Sequence, residues 1–143
     1  MAEPSLVDAV IARLLATAAV TALTSTRISG RRQDAWDLKT QAAIVVYGPR
    51  GGPGDNAPSP GLATERLDLF CYGSNGKNAK DLAAVVLRSL SPLQGMRGSF
   101  KAAHTRVPNV RAEGGRIALT DPDTGWEYCV VPVLVTYRME YAA

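Results

Sequence analysis

The sequence predicts a single α+β domain over residues 1–143, with a mostly antiparallel sheet of about four to five strands and two helices packed on one face. Two observations support this fold class. Apolar residues recur at helical spacing in two separate segments, and each of these is followed by strand-like runs. The order helix, strands, helix, strands is typical of an antiparallel sheet whose helices share one face. A chain of 143 residues buries a core without metal or disulfide support.

Two segments carry the apolar repeat of amphipathic helices. The first runs from about Ser5 to about Ala22, and Asp8 follows Ser5 at the spacing of a capping box. The second begins at Ser74 and ends before Pro92, which cannot continue a helix. The apolar stripe of the second helix comprises Ala79, Leu82, Ala83, Val86, Leu87 and Leu90.

Two strands and a long connection lie between these helices. Ala42–Gly48 is a continuous run rich in β-branched residues, and Thr64–Gly73 alternates between two faces. The segment between them, Pro49–Ala63, is so rich in Gly and Pro that it excludes a helix or an interior strand. The pattern predicts a hairpin with an oversized tip. Arg27–Ser29 is a candidate for a very short strand before it.

The last third of the chain predicts three further strands. They lie near Ala102–Arg111, near Arg116–Thr120, and after a turn at Asp121–Gly125. The final strand is long and contains Pro132. Because proline lacks the donor that a strand ladder needs, we expect an edge position or a bulge at this residue.

Composition and charge indicate an ordinary globular protein. The chain is 46% hydrophobic and 20% charged, with a formal net charge of +3. This mild basicity permits contact with nucleic acid or an acidic partner without requiring it. Glu3, Asp8 and Arg13 interrupt or precede the apolar N-terminal segment, so we expect synthesis in the cytoplasm with no membrane span and no targeting signal.

The two cysteines, Cys71 and Cys129, both lie in apolar strand-like runs. Two buried structural thiols are the favoured interpretation, and a single bridge between neighbouring strands is the alternative. No Cys-x-x-Cys spacing indicates a metal site, and no pattern indicates a cofactor.

The stretch Asp121–Gly125 has two carboxylates that open like a calcium loop. Trp126 follows at once, and Glu127 comes too early to close such a loop. A turn explains the same residues, because Asp caps it, Pro fixes φ and Gly supplies a positive φ. We therefore predict a turn.

The sequence gives little support for a catalytic site or a phosphate-binding site. His104 is the sole histidine, and no nucleophile elbow accompanies it. The loops "YGPRGGPG" and "YGSNGKNAK" lack the phosphate-loop pattern, although the second opens a helix near Lys77. We expect no enzyme activity. A small DNA-binding module is an alternative, with the basic residues Arg97, Lys101, Arg106 and Arg111.

Three stretches carry a family resemblance. An opening helix leads into "ALTSTRIS", a strand passes into a helix through "ERLDLFCYGSNGKNAKDLAAVVLRSL", and a turn opens the closing strand "TDPDTGWEYCVVPVLVTYRM". Together with the overall size, they resemble the tail terminator, or tail completion, family of long-tailed bacteriophages. The likeness covers nearly the whole chain, and none of its motifs is a catalytic fingerprint.

The resemblance implies a structural protein of the virion tail or neck. Such proteins form rings on the head-proximal end of the tail tube, where they stop tube polymerisation and join the tail to the head. The resemblance implies a ring of six subunits. The implied partners are further copies of the chain, the tail tube protein, a head-completion or connector protein, and genomic DNA that passes through the lumen without specific binding. Another neck or head-completion ring is the neighbouring alternative.

A ring subunit needs heterologous contacts that close. We expect them from the loop after the first short strand, from the Gly/Pro-rich segment and from the turn before the last strand. The candidate interface residues are Arg31, Arg32, Trp36, Pro49, Arg50, Gly51, Asp55, Asn56, Pro60, Asp121, Asp123 and Trp126.

Overall fold

The computed structural model describes residues 6–37, 40–48, 63–90, 100–102, 105–112 and 117–139. The helices are α1 (Leu6–Leu15), α2 (Ala18–Thr24) and α3 (Gly76–Leu90). The strands are β1 (Ile28–Ser29), β2 (Ala43–Tyr47), β3 (Ala63–Gly73), β4 (Phe100–Ala102), β5 (Thr105–Ala112), β6 (Ile117–Thr120) and β7 (Glu127–Met139).

All described strands form one sheet in the order β1-β2-β3-β7-β5-β4, and β6 also pairs with β7. Each pair is antiparallel except β1 with β2. The predicted α+β class and mostly antiparallel sheet are confirmed. The described residues contribute seven strands to the sheet rather than about four to five, because β1 joins it and the region near residues 100–112 forms two strands. They also form three helices rather than two.

The apolar repeat predicts one continuous N-terminal helix, but the structure has two helices in this segment. It breaks between α1 and α2, whose axes differ by 87°. Thr17 is extended at this break, with φ −97° and ψ 111°, and its side-chain hydroxyl donates to the Arg13 carbonyl at 2.9 Å. A threonine that bonds its own backbone competes with helix continuation. In the described part of the chain, no single helix is long and apolar enough to span a membrane.

The core lies between one face of the sheet and the helices α1 and α3, which share that face as predicted. Burying each Leu or Val there contributes roughly 1.5–3 kcal/mol. The helices contribute Leu6, Val10, Leu14, Ala79, Leu82, Ala83, Val86 and Leu90. The strands contribute Ile44, Val46, Leu67, Leu69, Cys71, Val107, Val110, Cys129, Val131, Val133 and Val135.

The longest pairing joins β3 to β7 without interruption, from Ala63 opposite Tyr137 to Gly73 opposite Glu127. Cys71 lies directly opposite Cys129 in this register, and both are buried thiols that are not joined in a disulfide bond. Burial, reinforced by the neighbouring thiol, raises the pKa of Cys71 well above its ordinary value. The predicted pair of buried structural thiols is confirmed.

Of the two expectations for Pro132, an edge position or a bulge, the edge position is wrong, because β7 is an interior strand. One flank of β7 pairs with β6 at residues 127–130 and with β5 from residue 133 onwards. Pro132 falls between these two segments, where no described residue of that flank pairs with it. The described ladder on this side is therefore interrupted at the proline, and a strand accepts a residue without an N–H at such a position.

Candidate assembly interface

The face of the sheet turned away from α1 and α3, here called the open face, carries an aromatic cluster. Successive residues of a strand point to opposite faces, so β2, β3 and β7 each contribute alternate side chains. Ala43, Val45 and Tyr72 are buried at the centre of the cluster. The side chains packed around them are partly buried: Trp36, Tyr47, Phe70, Trp126 and Tyr128.

The rings of this cluster contact one another across three strands. Phe70 stacks on Tyr128 with centroids 5.3 Å apart and meets Tyr47 edge-on at 4.8 Å. Tyr72 lies 5.5 Å from Tyr128. Offset and edge-on aromatic pairs contribute about 0.5–1.5 kcal/mol each beyond the area that they bury. The open face is therefore a rigid apolar platform.

Arg32 joins two loops over this platform. Its Nη1 lies 3.5 Å from Oδ2 of Asp121, and its guanidinium carbon lies 4.7 Å from the ring centroid of Trp126. The pKa of the Tyr72 hydroxyl is raised mainly by burial and by the nearby Tyr47, and the positive charge of Arg32 opposes this shift. Ion-pair, cation–π and hydrogen-bond contacts thus hold the β1–β2 connection against the β6–β7 turn.

The predicted turn before β7 is confirmed. The backbone N–H of Asp123 donates to Oδ1 of Asp121 at 2.9 Å, and the N–H of Gly125 donates to the Asp121 carbonyl at 2.8 Å. Gly125 has φ +74°, a conformation that glycine adopts without strain. The Asp121 N–H closes the turn on the Trp126 carbonyl at 2.8 Å. These bonds place the carboxylate of Asp121 beside Arg32.

The contact of Arg32 with Asp121 and Trp126, called the joint below, depends on pH through the carboxylate of Asp121. The pKa of its carboxyl is lowered from 3.8, first by the backbone N–H of Asp123 and further by bonds from Thr124 and Arg32. A lowered folded-state pKa contributes stability that is present above the unfolded pKa and lost as pH falls through the folded pKa. The contribution of Asp121 is therefore fully present above the ordinary carboxyl pKa, neutral pH included, and is lost in acid.

Asp121→Asn is expected to keep the turn and lower the melting temperature slightly at neutral pH, because the amide oxygen still accepts the Asp123 N–H without the charge that attracts Arg32. The measurement is thermal unfolding of both proteins from neutral pH to about pH 2. The difference should vanish on the acid side. A difference that is constant across this range would contradict the electrostatic role.

The edge of the open face is apolar as well. Leu119 lies opposite Tyr128 in register, and Ile117 lies opposite Val130. Their side chains are 44% and 58% exposed, respectively. Among the described residues β6 pairs only with β7, so its other side is an open strand edge. An exposed strand edge with large apolar side chains marks a surface for another chain.

The structure brings together four of the residues that the sequence singled out. Arg32, Trp36, Asp121 and Trp126 converge on the aromatic cluster. Arg31 and Asp123 are exposed and lie in the same two loops. The other candidates lie outside the described residues: Pro49, Arg50, Gly51, Asp55, Asn56 and Pro60.

Sequence reasoning missed Ile117 and Leu119 as interface candidates. Their alternation in "RIALT" gave a detectable signal, because a four-residue strand with two large apolar residues on one face has no helix of its own to cover them. The edge position that exposes them follows from tertiary pairing with β7.

The described residues offer little for chemistry. No group of three or more His, Cys, Asp or Glu side chains is placed to hold a metal within the described ranges. His104 lies outside them. The start of α3 is an ordinary cap, because Oδ1 of Asn75 accepts the backbone N–H of Asn78 at 2.9 Å.

Comparison with known proteins places the fold. No protein-family model and no curated protein matches the chain. A chain from the virion of a native gene transfer agent particle is similar over 94% of this chain and 95% of its own, with a TM-score of 0.70 at 15% identity. The bacteriophage SPP1 gp17 protein is similar over 89% of this chain and 84% of its own chain, with a TM-score of 0.49 at 15% identity. This chain has the fold of a virion chain.

Proposed function

We propose that this protein is a structural subunit of a phage-like virion, located in the neck, where it forms a ring on the head-proximal end of the tail tube. The supporting observation is the fold shared end to end with a chain of a gene transfer agent virion. On this proposal the ring stops tube polymerisation and presents a surface to a head-completion or connector protein. Six copies are expected in the ring.

The open face supplies one side of the subunit contact. A heterologous contact joins two different surfaces of the same chain, and repeated rotation closes the ring. The β6 edge adds backbone donors and acceptors, while Ile117 and Leu119 add exposed apolar area next to the aromatic cluster. The Gly/Pro-rich connection of residues 49–63 is a second proposed contact, with the neighbouring subunit or the tube.

A structural role needs no catalytic set. The polar groups of the joint are engaged in holding loops, since Arg32 and Asp121 bond each other and the turn backbone. A different neck ring, on the head side of the junction, is the neighbouring possibility, and it differs in which partner the open face meets.

The direct test is tube growth in the presence of the protein. Tail tube protein is polymerised with and without the purified chain, and tube lengths are measured by negative-stain electron microscopy. A terminator is expected to shorten the tubes and to appear at one end only. Tubes of unchanged length with bare ends would overturn the terminator role, and binding to a head-completion protein without tube binding would reassign the chain to the head side.

A further inference from the structure

An open cavity of about 180 Å³ lies on the helix side of the molecule, between the start of α2 and the C-terminal half of α3. It is lined by Thr17, Ala19, Val85, Arg88 and Ser89. A water molecule takes up about 30 Å³ in the liquid, so the cavity has room for about six waters or for the tip of a turn. It is separate from the cavity that Leu23 lines with Thr40 and Asn78 at the other end of α2.

Two polar side chains of this cavity lack partners within the described ranges. Ser89 is 7% exposed, and its buried Oγ has no hydrogen-bond partner there. Arg88 is exposed in the last turn of α3, and no described residue forms an ion pair with its guanidinium. A buried hydroxyl without an acceptor is uncommon in native structures, and χ1 rotation is the motion that turns it towards an acceptor in the cavity. The cavity is therefore suited to a group that is negatively charged and accepts hydrogen bonds.

Bonds between the helices hold this cavity in shape. Nε of Arg13 donates to the Ser89 carbonyl at 3.2 Å, and the Thr17 hydroxyl donates to the Arg13 carbonyl at 2.9 Å. These bonds join α1, the break before α2 and the end of α3. The acidic residue of α3, Asp81, lies about 10 Å from Arg88 along the helix, so the guanidinium of Arg88 sets the charge at the rim.

The turn before β7 has the matching properties. Pro122 and Asp123 are exposed at its tip. The backbone bonds from Asp123 and Gly125 to Asp121 hold the tip in one conformation, and Pro122 has a fixed φ, so little conformational entropy is lost on binding. The carboxylate of Asp121 is paired with Arg32, whereas the described part of the chain holds no partner for the carboxylate of Asp123.

The turn and the cavity of one chain lie too far apart to meet. The turn packs over the open face, and α3 packs on the opposite face of the sheet. α3 begins near the turn, because Gly73 pairs with Glu127, but Arg88 lies about 18 Å along the helix from Gly76. One chain thus presents an acidic tip and a basic cavity on different sides. A heterologous contact between copies requires two such complementary surfaces.

We propose that the β6–β7 turn of one subunit inserts into the α2–α3 cavity of the next copy of this chain, where Asp123 pairs with Arg88 and accepts a hydrogen bond from Ser89. Pro122 packs on the apolar wall of the cavity. A carboxylate and a guanidinium form paired hydrogen bonds that fix orientation as well as contact. The same contact brings the open edge of β6 next to the neighbouring subunit. This inference rests on the proposed ring and names the second surface that closes it.

Charge reversal on either side tests the contact. Asp123→Arg sets a guanidinium against Arg88, and Arg88→Glu sets a carboxylate against Asp123, so each variant alone is expected to associate at least about tenfold more weakly than wild type. Lys80→Glu is the matched control, because Lys80 is an exposed residue of α3 that does not line the cavity. The control should associate like wild type. Light scattering with and without tail tube protein gives the mass, and circular dichroism confirms folding.

An equimolar mixture of Asp123→Arg and Arg88→Glu tests whether the two residues pair directly. In the mixture the reversed turn of one variant meets the reversed cavity of the other, and the unchanged turn meets the unchanged cavity. Association is therefore expected to return when the variants are mixed. The two variants should alternate around the ring, which an even number of subunits permits. Native mass spectrometry should find them in equal numbers.

The failures of this contact and of the proposed function are distinguishable. Rings of wild-type mass from both single variants would overturn the contact and leave the ring standing. Loss of association in both variants without recovery in the mixture would overturn the direct pair. Recovery in the mixture, with tail tubes of unchanged length, would support the contact and overturn the terminator role. A wild-type chain that stays monomeric with and without tubes would overturn both.

Discussion

Gly73→Ala is expected to destabilise the protein by about 1–3 kcal/mol, because an added Cβ has no space at the end of β3. The new carbon would collide with the backbone nitrogen of Ala79, and would lie 2.8 Å from the carbonyl carbon of Asn78 and 2.9 Å from the Ala79 Cα. These are backbone atoms of the first turn of α3. They move only if the helix shifts, and α3 supplies much of the core.

Gly76→Ala is the matched control. A Cβ at Gly76, the first residue of α3, meets nothing within 4 Å. Alanine favours the helix over glycine by about 1 kcal/mol, so this variant should be neutral or slightly more stable. Urea unfolding followed by circular dichroism gives both free energies. Equal free energies of unfolding for the two variants would show that the approach of β3 to α3 is not as close as the structure has it.

Leu119→Lys is expected to weaken subunit association by at least about 2 kcal/mol, roughly thirtyfold, while the subunit itself stays folded. Leu119 is 44% exposed on the edge strand β6, beside Tyr128 of the aromatic cluster. A lysine on an exposed edge opposes strand addition, because pairing would bury its charge. Association is measured by light scattering over a dilution series.

Leu23→Lys controls for the loss of a surface leucine. Leu23 is 46% exposed, on α2 at the helix side of the molecule. The Leu23→Lys variant should leave association unchanged. The free energy of unfolding of both variants should lie within about 0.5 kcal/mol of the wild-type value. If Leu23→Lys disrupts association and Leu119→Lys does not, the contact lies on the helices and the open edge is not the interface.

Local sequence patterns predicted the elements that have a single consistent signal. The β2–β3 hairpin, α3 and the turn before β7 each combine a regular apolar period with a recognisable boundary residue. The break between α1 and α2 lacked such a signal, because the apolar repeat continues through it. The hydroxyl bond of Thr17 to the Arg13 carbonyl is visible only in three dimensions.

The sequence singled out four residues of the candidate site, Arg32, Trp36, Asp121 and Trp126, but not their arrangement. Arg32 and Asp121 are 89 positions apart, and nothing in the sequence pairs them. Their contact depends on strand order, which brings the β1–β2 connection over β7. Arg106 and Arg138 likewise become neighbours only through the β5–β7 register, which is a tertiary property.

The central claim is that the protein is a ring subunit of a virion neck, and its mass in solution tests this most directly. Light scattering is performed on the purified chain alone and again with tail tube protein. The account predicts a closed assembly of about six subunits, formed either alone or on the tube. A chain that remains a monomer in both samples and leaves the tube protein unbound would contradict it.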